Sequence, residues 1–303
     1  MITIALLDRD QRAPYSAFTF PDFRPLLEKE RPTPPAVFGA RSGADPIGLS
    51  LGFAAPNRQF ELLSLYVSPL WRGQGIGARL LRTLEDHYRA QGCVLGAHFF
   101  TVNEDDQGFA RFLMRQGWSR PAIRQVICRT TPERILASPL SAFARLPQGY
   151  RIVGWAEVTE AQKAAIRERR QCGPGWYPDE LDPFRHERDC LIDTSIALLF
   201  GDAVVGWLFS HVLDENTLRM TCSFVSKELE RSGRVLHLWW EAGVRQDRLT
   251  TLKRSIWTVP VAYGNHVRFV VRHVKPWMES FAYACTAIRR FDAPQAPAAS
   301  NRS

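Results

Sequence analysis

The 303-residue chain lacks several features that would have assigned it to a class at once. No run approaches ~18 uninterrupted apolar residues, so no transmembrane helix is expected. The start, Met1 to Asp8, has no basic segment followed by a longer apolar one, so no secretory signal is expected. Six cysteines are scattered without a C-x-x-C pair, which speaks against a disulfide framework or a zinc site. No metal is expected, because the histidines share no ligand spacing with acids or cysteines. Lysine is scarce: only five of the 39 basic residues are lysines. The net charge of +8 is therefore carried by arginines, interleaved with acids and never four in a row. A solvated basic surface is preferred over a nucleic-acid groove, and an anionic ligand would account for part of the bias equally well. These absences together predict a cytoplasmic chain with no membrane partner.

What the chain does have is concentrated between Glu61 and Leu84. An apolar strand (Phe60–Val67) runs into Ser-Pro-Leu-Trp-Arg72-Gly73-Gln74-Gly75-Ile76-Gly77, and then into a helix with an apolar stripe of Ile76, Leu80, Leu81 and Leu84. Such a strand, glycine-rich turn and helix N-terminus present backbone N–H groups in one direction, and with the helix dipole they form an anion site. The glycines let the backbone approach a phosphate, and Arg72 adds a fixed charge. No Lys-Ser/Thr follows the last glycine, which disfavours a nucleoside-triphosphate loop. The G-x-G-x-G spacing also departs from the dinucleotide G-x-G-x-x-G pattern.

Around this stretch, strands are predicted over Met1–Leu7, Ala36–Arg41, Pro46–Ala55, Cys93–Val102 and Ala122–Arg129, with helices at Pro25–Lys29 and Asp105–Gln116. Pro132, Pro139 and Pro147 mark Thr130–Gly149 as a linker. The order of elements then repeats. Tyr150–Val158 is a strand and Glu160–Arg170 a helix. Ser195–Phe200 and Ala203–His211 form a hairpin, and Leu218–Val225 a strand. Arg231–Gln246, Arg254–Val259, Asn265–Val274 and Ser280–Arg289 follow as helix, strand, helix and strand. Ile47-Gly48 corresponds to Val205-Gly206, Val67 to Val225, Gly75 to Gly233 and Leu80 to Leu238, all at an offset of 158. A constant offset across a hairpin, a strand and a helix start points to duplication of one domain. The division expected is a domain at 1–130, a linker at 131–149, a second domain at 150–291 and a disordered tail at 292–303, rich in Ala, Pro and Ser.

The loop Arg72-Gly-Gln-Gly75-Ile-Gly77, between a strand ending in Val67 and a helix carrying Leu80-Leu81, resembles the acetyl-CoA loop of the GCN5-related N-acetyltransferases (GNAT). The resemblance covers residues 1–130 well in element order, and covers 150–291 in order and spacing but not in loop chemistry. It implies an α/β (α+β) fold of two GNAT-like domains, each a mixed, mostly antiparallel, splayed sheet flanked by helices. It implies acetyl-CoA as co-substrate, with the backbone of Leu65, Tyr66 and Val67 pairing with the pantetheine. Arg72, Gly73, Gln74, Gly75, Ile76 and Gly77 would hold the pyrophosphate, and Asn103 would contribute a further bond to the pantetheine. The reaction implied is acetyl transfer to a primary amine, with a small molecule as acceptor; a protein amine or an aminoacylated carrier stands behind it. A homodimer is left open.

Amine acetylation needs a neutral amine and a proton for the departing thiolate. Glu61, six residues before Val67, stands where many family members carry a glutamate that acts as base, directly or through water; a strand-end glutamate facing solvent is the plain alternative. The family's usual acid is a tyrosine four residues before a Gly-Phe pair. Here the pair is Gly117-Trp118 and the matching residue is Leu113, so Tyr66 is the substitute candidate, against a packing role in the sheet. This departure also keeps open a non-catalytic, acyl-CoA-binding domain. In the second half the offset turns Arg72 into Glu230, Gly77 into Val235 and Glu61 into Arg219. A glutamate repels a pyrophosphate and a valine crowds its approach, so the second domain is expected to be a degenerate copy. Its loop Gly173–Asp182, with Trp176, Tyr177 and acids, is either a cationic-amine site or a plain surface loop.

Overall fold

The computed structural model describes residues 1–103, 107–172 and 176–291. The expected tail at 292–303, Asp105 and Asp106 of the expected helix, and Gly173 to Gly175 lie outside the described residues. The chain divides into two compact units: Met1–Arg124 with Ala284–Ser303, and Gln125–Tyr283.

In the first unit, β1 (Ile2–Leu6) is followed by three short 3₁₀ turns and α1 (Arg24–Glu28), then by β2 (Ala36–Ser42), β3 (Asp45–Ala55) and β4 (Gln59–Val67). The loop then leads into α2 (Ile76–Ala90), β5 (Leu95–Asn103) and α3 (Gly108–Arg115). The sheet order is β1-β2-β3-β4-β5, antiparallel except for the parallel pair β4–β5. Ile76, Leu80, Leu81 and Leu84 of α2 are buried against Phe60 and Leu62 of β4. Burial of each such side chain contributes about 2 kcal/mol. The helix ends where the chain turns left-handed at Gly92 (φ 85°), as its sequence position predicts. On the other sheet face, Leu49 and Leu51 pack with Tyr15, Leu27 and Val37.

In the second unit the elements are β6 (Ala122–Thr130, of which Gln125–Thr130 belongs here), α4 (Pro132–Leu136), β7 (Tyr150–Gly154), α5 (Glu160–Cys172) and α6 (Pro183–His186). They continue with β8 (Ile196–Phe200), β9 (Ala203–Asp214), β10 (Thr217–Val225), α7 (Arg234–Leu249), β11 (Arg254–Pro260) and α8 (Gly264–Phe269). The order is β6-β11-β10-β9-β8-β7, with β10–β11 as the parallel pair. The helix expected over Asn265–Val274 changes character at Val270, where it continues as a π turn. Among the described residues, no helix is long and apolar enough to cross a membrane.

The division differs from the expected boundaries in two ways. The stretch expected as a linker is structured: Ile135 of α4 and Leu140 are buried in the core of the second unit with Leu236, Leu238 and Ala242 of α7. Its prolines start helical turns at Pro132 and Pro139, capped by Thr131 and Ser138, instead of breaking the chain. The chain's last strand, β12 (Ser280–Arg290), gives its residues from Ala284 onward to the first unit. There the Ile288 carbonyl accepts from the Ser119 N–H at 2.8 Å, and the Phe291 N–H donates to the Val94 carbonyl at 3.0 Å. Phe291 also stacks on Phe60. Alternation along a strand shows that it pairs, not which sheet receives it.

Candidate active site

Strands β4 and β5 pair over only three residues: Gln59 with Leu95, Phe60 with Gly96 and Glu61 with Ala97. Beyond Glu61 the two strands part. The register of β4 against β3 shifts at the same place, from Leu51–Ser64 to Gly52–Leu62, which leaves Leu63 as the extra residue of a bulge. A bulge bends the strand and increases its twist, so the opening is built into β4 itself. Glu61 is thus the last paired residue before the cleft. Because Phe60 and Leu62 face α2, strand alternation sets Glu61 on the opposite face. Glu61 is half-buried. Desolvation raises its pKa, and the Arg124 guanidinium partly offsets that rise.

Further along β4, Leu65 and Val67 lean on the α2 core, while Tyr66 stacks on Phe18 with ring centroids 5.3 Å apart. The Arg72 guanidinium lies over the Tyr66 ring at 5.5 Å, and its Nε–H donates to the Val67 carbonyl at 2.9 Å. Tyr66 therefore packs with Phe18 and steadies the start of the loop.

The loop Arg72–Gly75 is exposed. Gly73 (φ 81°) and Gly75 (φ 76°) are left-handed, and a Cβ on either would meet nothing within 4 Å. Glycine is required there by backbone conformation, and open space lies in front of it. Gly77 is different: its φ is not positive, and a Cβ would touch Val67 and Phe112 at 3.6–3.8 Å, ordinary contact. Helix α2 starts from Gly75 with no side-chain cap, and Arg79 donates to the Gly75 carbonyl at 3.1 Å. The N–H groups of Ile76, Gly77 and Ala78 precede that first helical bond and have no acceptor within the helix. Exposed, uncapped donors with an arginine beside them fit an anionic group such as the pyrophosphate of acetyl-CoA.

Two other sequence candidates sit less centrally. Asn103 is the exposed last residue of β5. Leu113, where the family's tyrosine would stand, is fully buried in the core of the first unit and offers no proton. Sequence reasoning missed His98, which follows the last paired residue of β5. Its ring is buried, and Nδ1 donates to the Leu62 carbonyl at 2.5 Å. Burial pushes its pKa down to about 4. No sequence signal marked it, because its position one residue past the last β4–β5 pair follows from the pairing and not from periodicity.

The second unit repeats this architecture with different chemistry. Strands β10 and β11 also pair over three residues, ending at Arg219–Ile256, and β10 is bulged at Thr221. Gly206 pairs with Val225 as Gly48 pairs with Val67. Gly233 is left-handed (φ 72°) and starts α7 just as Gly75 starts α2. The space in front of it is filled, however: a Cβ on Gly233 would stand 3.2 Å from the Phe143 ring. The Phe143 carbonyl is bonded by His237 Nδ1 at 2.7 Å, which fixes this plug. Arg234 folds over Tyr150 at 4.9 Å and donates to the Ser232 carbonyl. In the 173–182 loop, Arg170 binds Asp179 and Asp182, and Arg169 covers Trp176 at 4.4 Å. The charge and aromatic faces of that loop are thus satisfied from within the unit.

Residues 3–118 match the family model of the acetyltransferase (GNAT) family. No curated protein matches the chain in sequence. Among solved structures, the chain is similar to a tandem GNAT protein from the clavulanic acid biosynthesis pathway, at 14% identity and TM-score 0.56, over 96% of this chain and 98% of that one. It is similar to a GCN5-related N-acetyltransferase from Sphaerobacter thermophilus at 15% identity and TM-score 0.57, over 95% of each chain. It also resembles a GCN5-related glucosamine N-acetyltransferase region of a fungal multi-domain GH3 β-N-acetylglucosaminidase (17% identity, TM-score 0.50), over 95% of this chain and 38% of that one. Identities this low show the fold. The first unit is a domain of the GNAT acetyltransferase family, in a chain with the fold of tandem GNAT proteins.

Proposed function

We propose that the protein transfers an acetyl group from acetyl-CoA to a primary amine of a small molecule, with cofactor binding and chemistry confined to the first unit. The observation that carries this reading is the contrast between two equivalent glycines. Gly75 faces open space beside Arg72 and uncapped helix N–H groups, whereas Gly233 faces the Phe143 ring.

When bound, acetyl-CoA supplies the acetyl group as an activated thioester. The chain's own residues do the rest. The loop from Arg72 to Gly77 holds the pyrophosphate, and the unpaired edge of β4 beyond Glu61 is available to the pantetheine. Glu61, at the inner end of the cleft, takes the proton that the acceptor ammonium must lose before its nitrogen can attack. Its raised pKa makes it a better base than an ordinary surface carboxylate. With Leu113 buried, the departing thiolate takes its proton from water or from a group other than the family's tyrosine; Tyr66 is the candidate on β4, and its packing under Arg72 argues for a supporting role.

One of the fold neighbours belongs to clavulanic acid biosynthesis and another is a glucosamine N-acetyltransferase region, so small amines, amino sugars included, lead the panel of acceptors. The buried Leu113 favours a second reading, a domain that binds acyl-CoA without turning it over. A thiol-release screen across small amines, protein N-termini and aminoacylated carriers separates the two. Turnover with a small amine that is lost in Glu61→Gln supports the enzyme. Binding of acetyl-CoA with no thiol release from any acceptor supports the binding module.

A further inference from the structure

We propose that the second unit carries a pocket for a small amphipathic carboxylate, at the position where the first unit has its candidate base. The inference is independent of acetyl transfer. Arg219 is the last residue of β10 paired with β11, as Glu61 is the last of β4 paired with β5. The two stand at the same point of the duplicated frame, 158 residues apart, with opposite charge. Arg219's partner on β9 is His211, where the first unit has Phe53 opposite Glu61. The point where the strands part has therefore changed from an acid beside a phenylalanine to a guanidinium beside an imidazole.

An open cleft of about 230 Å³ lies at this place, lined by His186, His211, Val212, Leu213, Arg219 and Thr221. His186 and His211 bring their rings to 6.2 Å. His186 Nε2 donates to the Glu180 carbonyl at 2.8 Å, which leaves its Nδ1 open. His211 Nδ1 meets the Thr221 hydroxyl at 2.8 Å, on the residue that forms the bulge. Arg219 is exposed and, among the described residues, forms no ion pair. Asp189 is the acid whose field reaches His211, and Arg188 lies 3.9 Å from it. Arg219 is thus the one fixed charge among the lining residues, and the acid nearest to the site, Asp189, has its own arginine neighbour in Arg188.

The rest of the lining says what kind of anion fits. Val212 and Leu213 are 54% and 51% exposed and both line the cleft, so part of its wall is apolar. A planar carboxylate matches the guanidinium fork, and an attached apolar group covers the exposed wall. Inorganic phosphate would leave that wall in water. The glycine turn that would suit a pyrophosphate lies elsewhere, at the start of α7, where the Phe143 ring closes the space in front of Gly233.

The test is calorimetric titration of the full chain with hexanoate, and with hexanamide, hexylammonium and inorganic phosphate as comparators. The expected result is hexanoate binding about tenfold or more tighter than hexanamide, the scale of a hydrogen bond to a charged group, with no binding of hexylammonium. Arg219→Gln is expected to weaken hexanoate about tenfold, while Arg219→Lys keeps most of the affinity. Saturating acetyl-CoA and the Arg72→Glu substitution should leave hexanoate binding unchanged, which separates this site from the loop of the first unit. Equal binding of hexanoate and hexanamide, tighter binding of phosphate, an unchanged affinity in Arg219→Gln, or displacement by acetyl-CoA would each overturn the proposal.

Discussion

His98 and Leu62 join β5 to β4 one residue beyond their last backbone pair, with Nδ1 of His98 donating to the Leu62 carbonyl at 2.5 Å. A carbonyl can only accept, so Nδ1 carries the hydrogen and the ring is held as one neutral tautomer. Phe100 stacks on the ring at 5.0 Å and Phe109 meets it edge-on. The side chain thus satisfies a polar group that the parting of the strands would leave bare, at the inner end of the cleft.

Replacing His98 with alanine leaves that carbonyl unpaired and opens a void, and should cost about 2–3 kcal/mol of stability. His98→Asn, which can place an amide N–H near the position of Nδ1, should recover part of it. The pH dependence has a definite sign. The folded-state pKa, about 4, lies below the ordinary 6.5, so the unfolded chain takes up the proton first. His98's stabilising contribution is complete above pH 6.5 and is lost as pH falls toward 4. Urea titrations at pH 5 and pH 7 should show a larger stability difference for the wild type than for His98→Asn.

The two loop glycines should respond differently to one added methyl. Gly75→Ala forces a left-handed alanine and should cost about 1–2 kcal/mol where the loop must keep its shape. Acetyl-CoA affinity is then expected to fall several-fold. Gly77→Ala adds only ordinary contacts with Val67 and Phe112 and should leave affinity nearly unchanged. Fluorescence or calorimetric titration with acetyl-CoA decides the pair; equal losses would show that the backbone argument is misplaced.

As the proposed base, Glu61 would act only when ionised, and burial raises its pKa. The acid limb of kcat/KM should therefore lie above the ordinary carboxylate range, with rate rising as pH rises through it. Glu61→Gln should lower kcat about 10²–10⁴-fold and flatten that limb. A variant with an unchanged profile would return Glu61 to the role of a strand-end carboxylate.

Glu85 is the buried acid of α2, and Trp118 Nε1–H donates to its Oε1 at 2.7 Å. Desolvation raises the Glu85 pKa, and the Trp118 bond and Arg289 offset part of the rise. A carboxyl that holds its proton more tightly in the folded chain loses stabilising effect as pH rises from the ordinary value through the raised one. Trp118→Phe removes the offsetting bond and should cost about 1.5–3 kcal/mol at neutral pH, and less at pH 4. Thermal denaturation at the two pH values measures the difference.

Much of this was legible in the residues. The glycine spacing, the strand into Val67 and the Ile76–Leu84 stripe located the loop and the helix it starts. The offset of 158 anticipated equivalences that the pairing registers repeat, Gly48–Val67 with Gly206–Val225. Three features were not legible, each for a physical reason. The route of β12 depends on which sheet edge accepts it, and alternation is blind to that. Phe143 closes the second loop from a proline-rich stretch that reads as a linker, because capped prolines start turns as readily as they break helices. His98 looks like a strand histidine until the end of the β4–β5 pairing is known, since its role comes from a missing backbone partner.

We expect one chain to hold one acetyl-CoA, in the first unit. Calorimetric titration of the full chain with acetyl-CoA tests it directly, run beside Arg72→Glu, which copies the residue of the second unit. One acetyl-CoA per chain, with binding lost in Arg72→Glu, is the expected outcome. Two per chain, or an affinity unchanged by Arg72→Glu, would contradict it.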